Sequence, residues 1–99
     1  MGVLSTDKSF TVNDEASDPW NVPVSSNYMF YVTGDLGGGH IAFETSPDNG
    51  TNWFTVDTLN SAGRLIRYLV NGERVRITVC NTTNPGQGDD GPLVAGIRQ

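Results

Sequence analysis

Cysteine, histidine and lysine each occur once in this 99-residue chain, as Cys80, His40 and Lys8. A single cysteine excludes an internal disulfide, and one cysteine with one histidine excludes an ordinary structural zinc site. A serine triad would need His40 to converge with a nucleophile and an acid, and the nucleophile-elbow pattern G-x-S-x-G is absent from the sequence. The sequence therefore predicts no catalytic residue, no metal site and no cofactor.

Long apolar runs are also missing, and none approaches the length of a membrane span. The first eight residues have neither the basic nor the apolar region of a signal peptide, so we expect no export signal and synthesis in a reducing cytoplasm. The net charge of −5 argues against binding to nucleic-acid phosphates. We therefore expect neither a membrane nor a nucleic acid as a partner.

Positive charge is almost absent from the first two thirds of the chain. Residues 1–63 contain one base and eight acids, whereas residues 64–99 contain five arginines and three acids. Such asymmetry suits a subunit that meets another protein, or its own copy, through opposite charges. The alternative is that the arginines lie on a solvated strand face. One domain of this size has only a modest core, so oligomerisation or docking is an available source of further stability.

Short strand-like segments recur at spacings of about ten residues, without a helical period of useful length. These segments are 9–13, 20–24, 28–33, 40–45, 53–58, 64–70, 73–80 and 93–98. The pattern predicts an all-β fold, a small β-sandwich of jelly-roll or Greek-key type with seven to eight short strands. We expect residues 1–8 to be a flexible N-terminal arm, residues 9–99 to be a single domain and residues 34–39 to be a flexible loop.

Two turn signals organise the middle of the chain. Asn71-Gly72 predicts a tight hairpin between the segments on either side, so the four strands from residue 40 to 80 should be locally connected. Residues 46–53 read S-P-D-N-G-T-N-W, the S-x-D-x-G-x-x-W pattern of an Asp-box hairpin. Pro47 presets φ, Asp48 can accept from nearby backbone N–H groups, and Gly50 can take a positive φ. Ser46, Asp48, Gly50 and Trp53 are therefore predicted to be structural hairpin residues.

The Asp-box pattern is similar to that of sialidases and related propeller proteins, which repeat the box once in each blade. Here the pattern occurs once, and 99 residues would hold only about two blades, so a propeller is excluded. In those proteins the boxes lie away from the catalytic site, and the resemblance implies no catalytic residue.

A second resemblance extends from His40 to Val79. A strand, the S-P-D-N-G-T-N-W hairpin, F-T-V-D-T-L, a further strand, N-G and R-V-R-I-T-V follow one another in this stretch. This order resembles small β-sandwich proteins of tailed-bacteriophage particles, both head decoration (cement) subunits and tail- or fibre-associated subunits. The resemblance implies a non-enzymatic virion protein that multimerises on the capsid exterior. Its implied partners are the major capsid protein, other virion subunits and further copies of itself, with a trimer as one arrangement.

Candidate contact residues follow from exposure and charge. Trp20 lies beside two prolines and suits a docking anchor, and the charge partners would be Arg64, Arg67, Arg74 and Arg76; the 1–8 arm and the 81–92 loop are further contact elements. The alternatives are a tail, fibre or adaptor subunit of the virion, or a small carbohydrate-binding module. In the latter an aromatic platform would draw on Trp20, Trp53, Tyr28, Tyr31 and Tyr68. The acidic turns at 48–50 and 88–91 are interpreted as turns capped by their own side chains rather than as Ca²⁺ sites.

Overall fold

Eight antiparallel strands form the protein in a computed structural model that describes residues 4–99. The strands are β1 (Ser5–Phe10), β2 (Trp20–Asn21), β3 (Ser26–Thr33), β4 (His40–Ser46), β5 (Phe54–Leu59), β6 (Gly63–Leu69), β7 (Arg74–Cys80) and β8 (Leu93–Arg98). In this part of the chain no helix is long and apolar enough to cross a bilayer. The all-β prediction is confirmed.

The strands divide into two four-stranded sheets. Sheet A has the order β1-β8-β3-β6, and sheet B has the order β2-β7-β4-β5. Among the connections between these eight strands, only β4–β5 remains within one sheet, and all the others pass from one sheet to the other. This alternation is the jelly-roll arrangement, so the predicted β-sandwich is also confirmed in its topology.

The core lies between the sheets because inward positions alternate with outward ones along each strand. In β7, Val75, Ile77 and Val79 are fully buried while the residues between them are only half-buried, in step with the alternation of apolar and other residues along the strand. Phe30 of sheet A stacks on Phe43 of sheet B with ring centroids 4.5 Å apart. The sandwich is therefore closed by direct aromatic contact between its two layers.

Hydrogen bonds tie two long loops together at one end of the sandwich, which corrects the expectation that 34–39 is a flexible loop. Asp35 Oδ2 accepts from Gly88 N at 2.9 Å, and Asp35 Oδ1 accepts from Gly37 N at 3.0 Å. The backbone of Asp35 also bonds Gly86 and Gly91. A single aspartate thus fixes the loop from 34 to 39 against the 81–92 loop.

The predicted N-terminal arm is wrong for residues 5–8. They belong to β1, which pairs with β8 from Ser5 opposite Arg98 to Phe10 opposite Leu93. The strand also ends earlier than the predicted segment 9–13, since residues 11–13 lie in the following turn. Residues 1–3 of the predicted arm lie outside the described residues. Leu4, the remaining arm residue, accepts a hydrogen bond at its carbonyl oxygen from Gln99 N at 3.0 Å.

The predicted hairpin at Asn71-Gly72 is also wrong, since β6 and β7 lie in different sheets. A turn does form, because Glu73 N donates to Val70 O at 3.1 Å. However, only Gly72 of the two central residues has a positive φ, at 93°. That combination is typical of a type II turn, which splays its flanking strands instead of matching their twist. The strands from 40 to 80 are therefore not all local neighbours; β4–β5 is the paired hairpin among them.

Candidate functional site

The Asp-box hairpin forms between β4 and β5 as predicted. Ser46 is fully buried; its Oγ accepts from Gly50 N at 2.8 Å and donates to Asp48 Oδ1 at 2.8 Å. Asp48 Oδ1 in turn accepts from Asn52 N at 2.8 Å. Asn49 and Gly50 take positive φ values of 62° and 92°. These bonds account for the Ser46, Asp48 and Gly50 positions of the motif as structural residues of the turn.

The hydrogen bonds from the Asn52 backbone, the Asn52 side chain and Ser46 hold the pKa of Asp48 below its ordinary value. Asp48 is exposed, so its charge is stabilised mainly by these local donors. Asp48 is therefore ionised at neutral pH and serves as an acceptor for the turn.

Trp53 closes the hairpin on the outer face of sheet B. Its half-buried ring lies 4.2 Å from the guanidinium of Arg76, and Arg76 Nε donates to Glu44 Oε1 at 2.9 Å. Thr78 Oγ1 donates to the same carboxylate oxygen at 2.9 Å. Arg76 is thus held by an aromatic face and a carboxylate within its own chain.

The arginines predicted as charge partners do not form one surface. Arg74 and Arg76 lie on the outer face of sheet B, where Arg74 Nε donates to Asn21 Oδ1 at 3.2 Å. Arg67 lies at the open edge between the sheets and forms an ion pair with Asp57. Arg64 lies on β6 directly opposite Tyr31 of β3. Arg64 and Arg74 form no ion pair among residues 4–99.

Trp20 lies at the β1–β2 edge of the sandwich, opposite the edge that contains Arg67. It is half-buried against the core and lines a cleft of about 280 Å³ between β1 and β2. The other lining residues are mostly polar: Thr6, Asp7, Lys8, Ala16 and Asp18. A second cleft, of about 350 Å³, lies between residues 11–13 and 82–85. Parts of the three predicted contact elements therefore line these two clefts, namely residues 6–8 of the predicted 1–8 arm, Trp20, and residues 82–85 of the 81–92 loop.

The single histidine and the single cysteine are brought together, which the sequence did not indicate. His40 and Cys80 are directly paired residues of β4 and β7. Burial raises the pKa of the Cys80 thiol, and the charges of Glu44 and Asp14 raise it further. This environment disfavours the thiolate that a nucleophilic cysteine requires.

The outer face of sheet A carries an exposed apolar surface along β6. Ile66 and Tyr68 are 61% and 62% exposed, and Val70 just beyond the strand is 51% exposed. Met29 of β3 is paired directly with Ile66. We call Met29, Arg64, Ile66, Tyr68 and Val70 the β6 surface. A solvated face of an antiparallel sheet is normally polar, so the exposed apolar members of this group differ from an ordinary solvated face.

A sequence signal for the β6 surface does exist. Residues 64–70 read R-L-I-R-Y-L-V, so large apolar residues occupy both alternating sets of positions. One set, with Leu65 and Leu69, faces the core, and the other, with Ile66 and Tyr68, faces solvent. Large apolar residues on both faces are typical of strands that are covered on both faces.

The sequence matches no known protein-family model and no curated protein. Residues 4–99 contain no group of three or more His, Cys, Asp or Glu side chains placed to hold a metal ion. Within the same residues every buried side-chain nitrogen or oxygen has a hydrogen-bond partner. The most distinctive surface features of the described residues are the exposed apolar side chains of the β6 surface and the polar clefts at the opposite edge.

Proposed function

We propose that this protein is a non-enzymatic structural subunit of a tailed-phage virion, most specifically a head decoration subunit that binds the capsid exterior. The observation that carries the role as an assembly subunit is the β6 surface, because exposed apolar side chains grouped on one face are typical of protein–protein interfaces. The contact with the shell is assigned to the acidic β1–β2 side. The resemblance of residues 40–79 to virion β-sandwich proteins supplies the setting. Its partners would be the major capsid protein or other virion subunits.

Charge supports two different contact sides. Residues 5–21 at the β1–β2 edge contain four acids and one lysine, a net of −3. Residues 54–69 at the β5–β6 edge contain one acid and two arginines, a net of +1. Since β1 and β6 are the two ends of sheet A, these charges lie on opposite sides. The acidic side, with Trp20 and its clefts, suits a basic patch on a shell.

In this proposal the sandwich binds to neighbouring shell subunits as a rigid body. The loops at one end are fixed by Asp35, and the two layers are joined by the Phe30–Phe43 stack. A rigid subunit loses little conformational freedom on docking, so more of the contact free energy remains for binding. Binding to the assembled shell in preference to its free subunits stabilises the shell by mass action.

The test is co-sedimentation with purified shells that lack this protein. The variant Asp14→Asn with Asp18→Asn should bind more weakly than wild type, and the difference should shrink at high salt because salt screens exposed charges. Asn suits the positive φ of 60° at Asp14, so the variant should fold. Thr55→Lys with Thr58→Lys, on exposed positions of β5, changes the net charge equally and should bind as wild type. Failure of the wild-type protein to sediment with shells would overturn the decoration role.

A tail, fibre or adaptor role uses the same surfaces and differs in its target. Sedimentation with isolated tails but not with shells would favour that role over decoration.

A carbohydrate-binding module is the second candidate, favoured by the Trp20 cleft. An indole beside Asp7, Asp18 and Thr6 combines an apolar wall with hydroxyl-binding groups. Glycan binding on an array that is lost in Asp18→Ala and kept in Asp89→Ala, a change in the 81–92 loop, would support this role. Shell binding without any glycan binding would exclude it.

A further inference from the structure

The sandwich has four edge strands, and three of them carry features that prevent pairing with another chain. β2 has only two residues and lies between Pro19 and Pro23. β5 has a register shift opposite Phe43 and Glu44, which marks a bulge. β1 turns Asp7 and two serines, all exposed, toward solvent. Short length, proline, bulges and edge charges are the usual protections against edge-to-edge association.

The fourth edge strand, β6, is long and regular, and two of the three large side chains on its solvent side, Ile66 and Tyr68, are apolar or aromatic. Its seven residues pair without a register shift to β3, from Val32 opposite Gly63 to Ser26 opposite Leu69. Its outward residues are Arg64, Ile66 and Tyr68. A strand of this kind has unpaired backbone groups on its free side and is a template for a further strand.

The sequence of β6 is suited to pairing with itself. The midpoint of Gly63–Leu69 is Ile66, so an antiparallel copy centred there overlaps along all seven residues. In that register Ile66 meets Ile66 of the second copy, and Arg64 meets Tyr68 twice. Ile pairs and cation–aromatic pairs across neighbouring strands are favourable.

Neighbouring registers are worse. Centring the pair on Arg64 would place two Arg64 side chains directly opposite each other, and like charges in that position are destabilising. Centring it on Arg67 would place each Arg64 opposite position 70, beyond the end of the partner strand, and so without an aromatic partner. Centring it on Leu65 would place Ile66 against Arg64 and move Tyr68 beyond the strand. The register centred on Ile66 is therefore the one that places apolar residues opposite each other and keeps the arginines of the two copies apart.

Arg67 does not block this edge. Its Nη1 donates to Ile66 O at 2.9 Å, but a carbonyl oxygen has a second lone pair for a partner N–H. The Arg67 side chain starts from an inward position of β6, and its charge is neutralised by Asp57. The inward charge that would otherwise protect the edge is thus already paired.

We infer that β6 pairs antiparallel with β6 of a second copy about a two-fold axis at Ile66, joining the two A sheets into one eight-stranded sheet. The inference rests on the part of the proposed function that makes this protein an assembly subunit, and not on binding to shells. It leaves the acidic β1–β2 side of each copy free for a different partner.

The first test is the mass of the full chain in solution by light scattering. Wild type should have twice the 10.7 kDa mass of one chain. Ile66→Arg should shift the mass to one chain, because it adds two charges at the axis. Phe54→Arg, which replaces a side chain of nearly equal exposure (59%) on β5, should remain a dimer. A wild-type monomer, or an equal effect of both variants, would overturn the inference.

Cross-linking then tests the register, in a Cys80→Ser background. Ile66→Cys should form a symmetric disulfide dimer on mild oxidation, because its Cα faces its own copy at the axis. Arg64→Cys alone should not, whereas a mixture of Arg64→Cys and Tyr68→Cys chains should form the mixed dimer. Cross-linking of Arg64→Cys with Asp7→Cys instead would indicate head-to-tail pairing of β6 with β1 and would overturn the two-fold arrangement.

Shell binding separates this inference from the proposed function. A dimer that does not sediment with shells supports the β6 pairing and refutes decoration. A monomer that does sediment with shells refutes the pairing and leaves decoration standing.

Discussion

Asp57 of β5 and Arg67 of β6 form an ion pair that joins the two sheets at one open edge of the sandwich. Asp57 is paired with the buried Phe43, and Arg67 is paired with the buried Tyr28, so both charged side chains start from inward positions. They reach each other where the layers end, with side chains 28% and 46% exposed. At the β5–β6 edge the contact between the two sheets is thus made by a charge pair instead of by apolar side chains.

Replacing Asp57 by Asn should lower the free energy of unfolding by about 0.2–1 kcal/mol, since the pair is partly solvated. The loss should be smaller at high salt. Urea unfolding of Asp57→Asn, Arg67→Gln and the double variant measures the coupling. Additive effects of the two single changes would show that the pair does not stabilise the fold.

Ser46→Ala should cost more than its size suggests, about 1–3 kcal/mol, because it removes the buried hydroxyl that accepts from the half-buried Gly50 N and donates to Asp48. Ser61→Ala, in the exposed turn before β6, is the matched control and should change stability by less than about 0.5 kcal/mol. Thermal unfolding of both variants checks this. Equal stability of the two would mean that the Ser46 hydroxyl is dispensable.

The β-sandwich class and several local features of the fold could be predicted from the sequence, and the pairing of individual strands could not. The Asp-box hairpin was predictable because its bonds span only residues 46–53, and the alternation of β7 directly gives its buried face. β1 was misplaced because Ser5–Phe10 is mainly polar and is held by pairing with β8 at the other end of the chain.

The candidate site illustrates the same limit. Asn71-Gly72 suits both a hairpin and a connection between sheets, and the choice depends on β7 pairing with β4. Arg64, Arg67, Arg74 and Arg76 are close in sequence, but the alternation of β6 and β7 and their separation into two sheets disperse them. The acidic segment 14–18 could be recognised in the sequence. Its location at the edge of the sandwich that lies away from β6 depends on the sheet order.

Trp53→Ala should destabilise the protein by about 1–2 kcal/mol, from the lost apolar burial and the lost contact with Arg76. A fully buried tryptophan would cost about 3–5 kcal/mol, but Trp53 is half-buried and lies outside the core. A double-mutant cycle with Arg76→Gln should give a coupling of about 0.5–1 kcal/mol. Zero coupling would show that the stacking at 4.2 Å has no energetic weight.

Phe43→Ala should be the most damaging single change considered, at about 3–5 kcal/mol. The ring is fully buried and stacks on Phe30 across the sandwich, so its removal leaves a cavity between the layers. A domain of this size has a total stability of about 5–15 kcal/mol. Phe43→Leu, which keeps most of the volume, should retain the fold in chemical denaturation; equal losses in both variants would argue against a cavity effect.

Acid should destabilise the fold partly through Glu15 and Asp48. The N–H of Thr11 is the main cause that holds the pKa of Glu15 below its ordinary value, opposed by some desolvation and assisted by Lys8; Asn52 is the main cause for Asp48. Because both pKa values are lower in the folded chain, the unfolded chain binds more protons in mildly acidic solution. This contribution to stability is present above the unfolded-state values and is lost as the pH falls through the folded-state values.

The Glu15→Gln, Asp48→Asn double variant carries neutral amides in place of the two carboxylates. It should therefore be less stable than wild type at neutral pH. The gap should narrow as the pH falls below about 4, where the carboxylates of wild type become protonated. Urea unfolding at a series of pH values measures the gap, with Asp89→Asn in the 81–92 loop as a control for the change in net charge. Parallel curves for wild type and the double variant would show that hydrogen bonding to these carboxylates does not differ between the folded and unfolded chain.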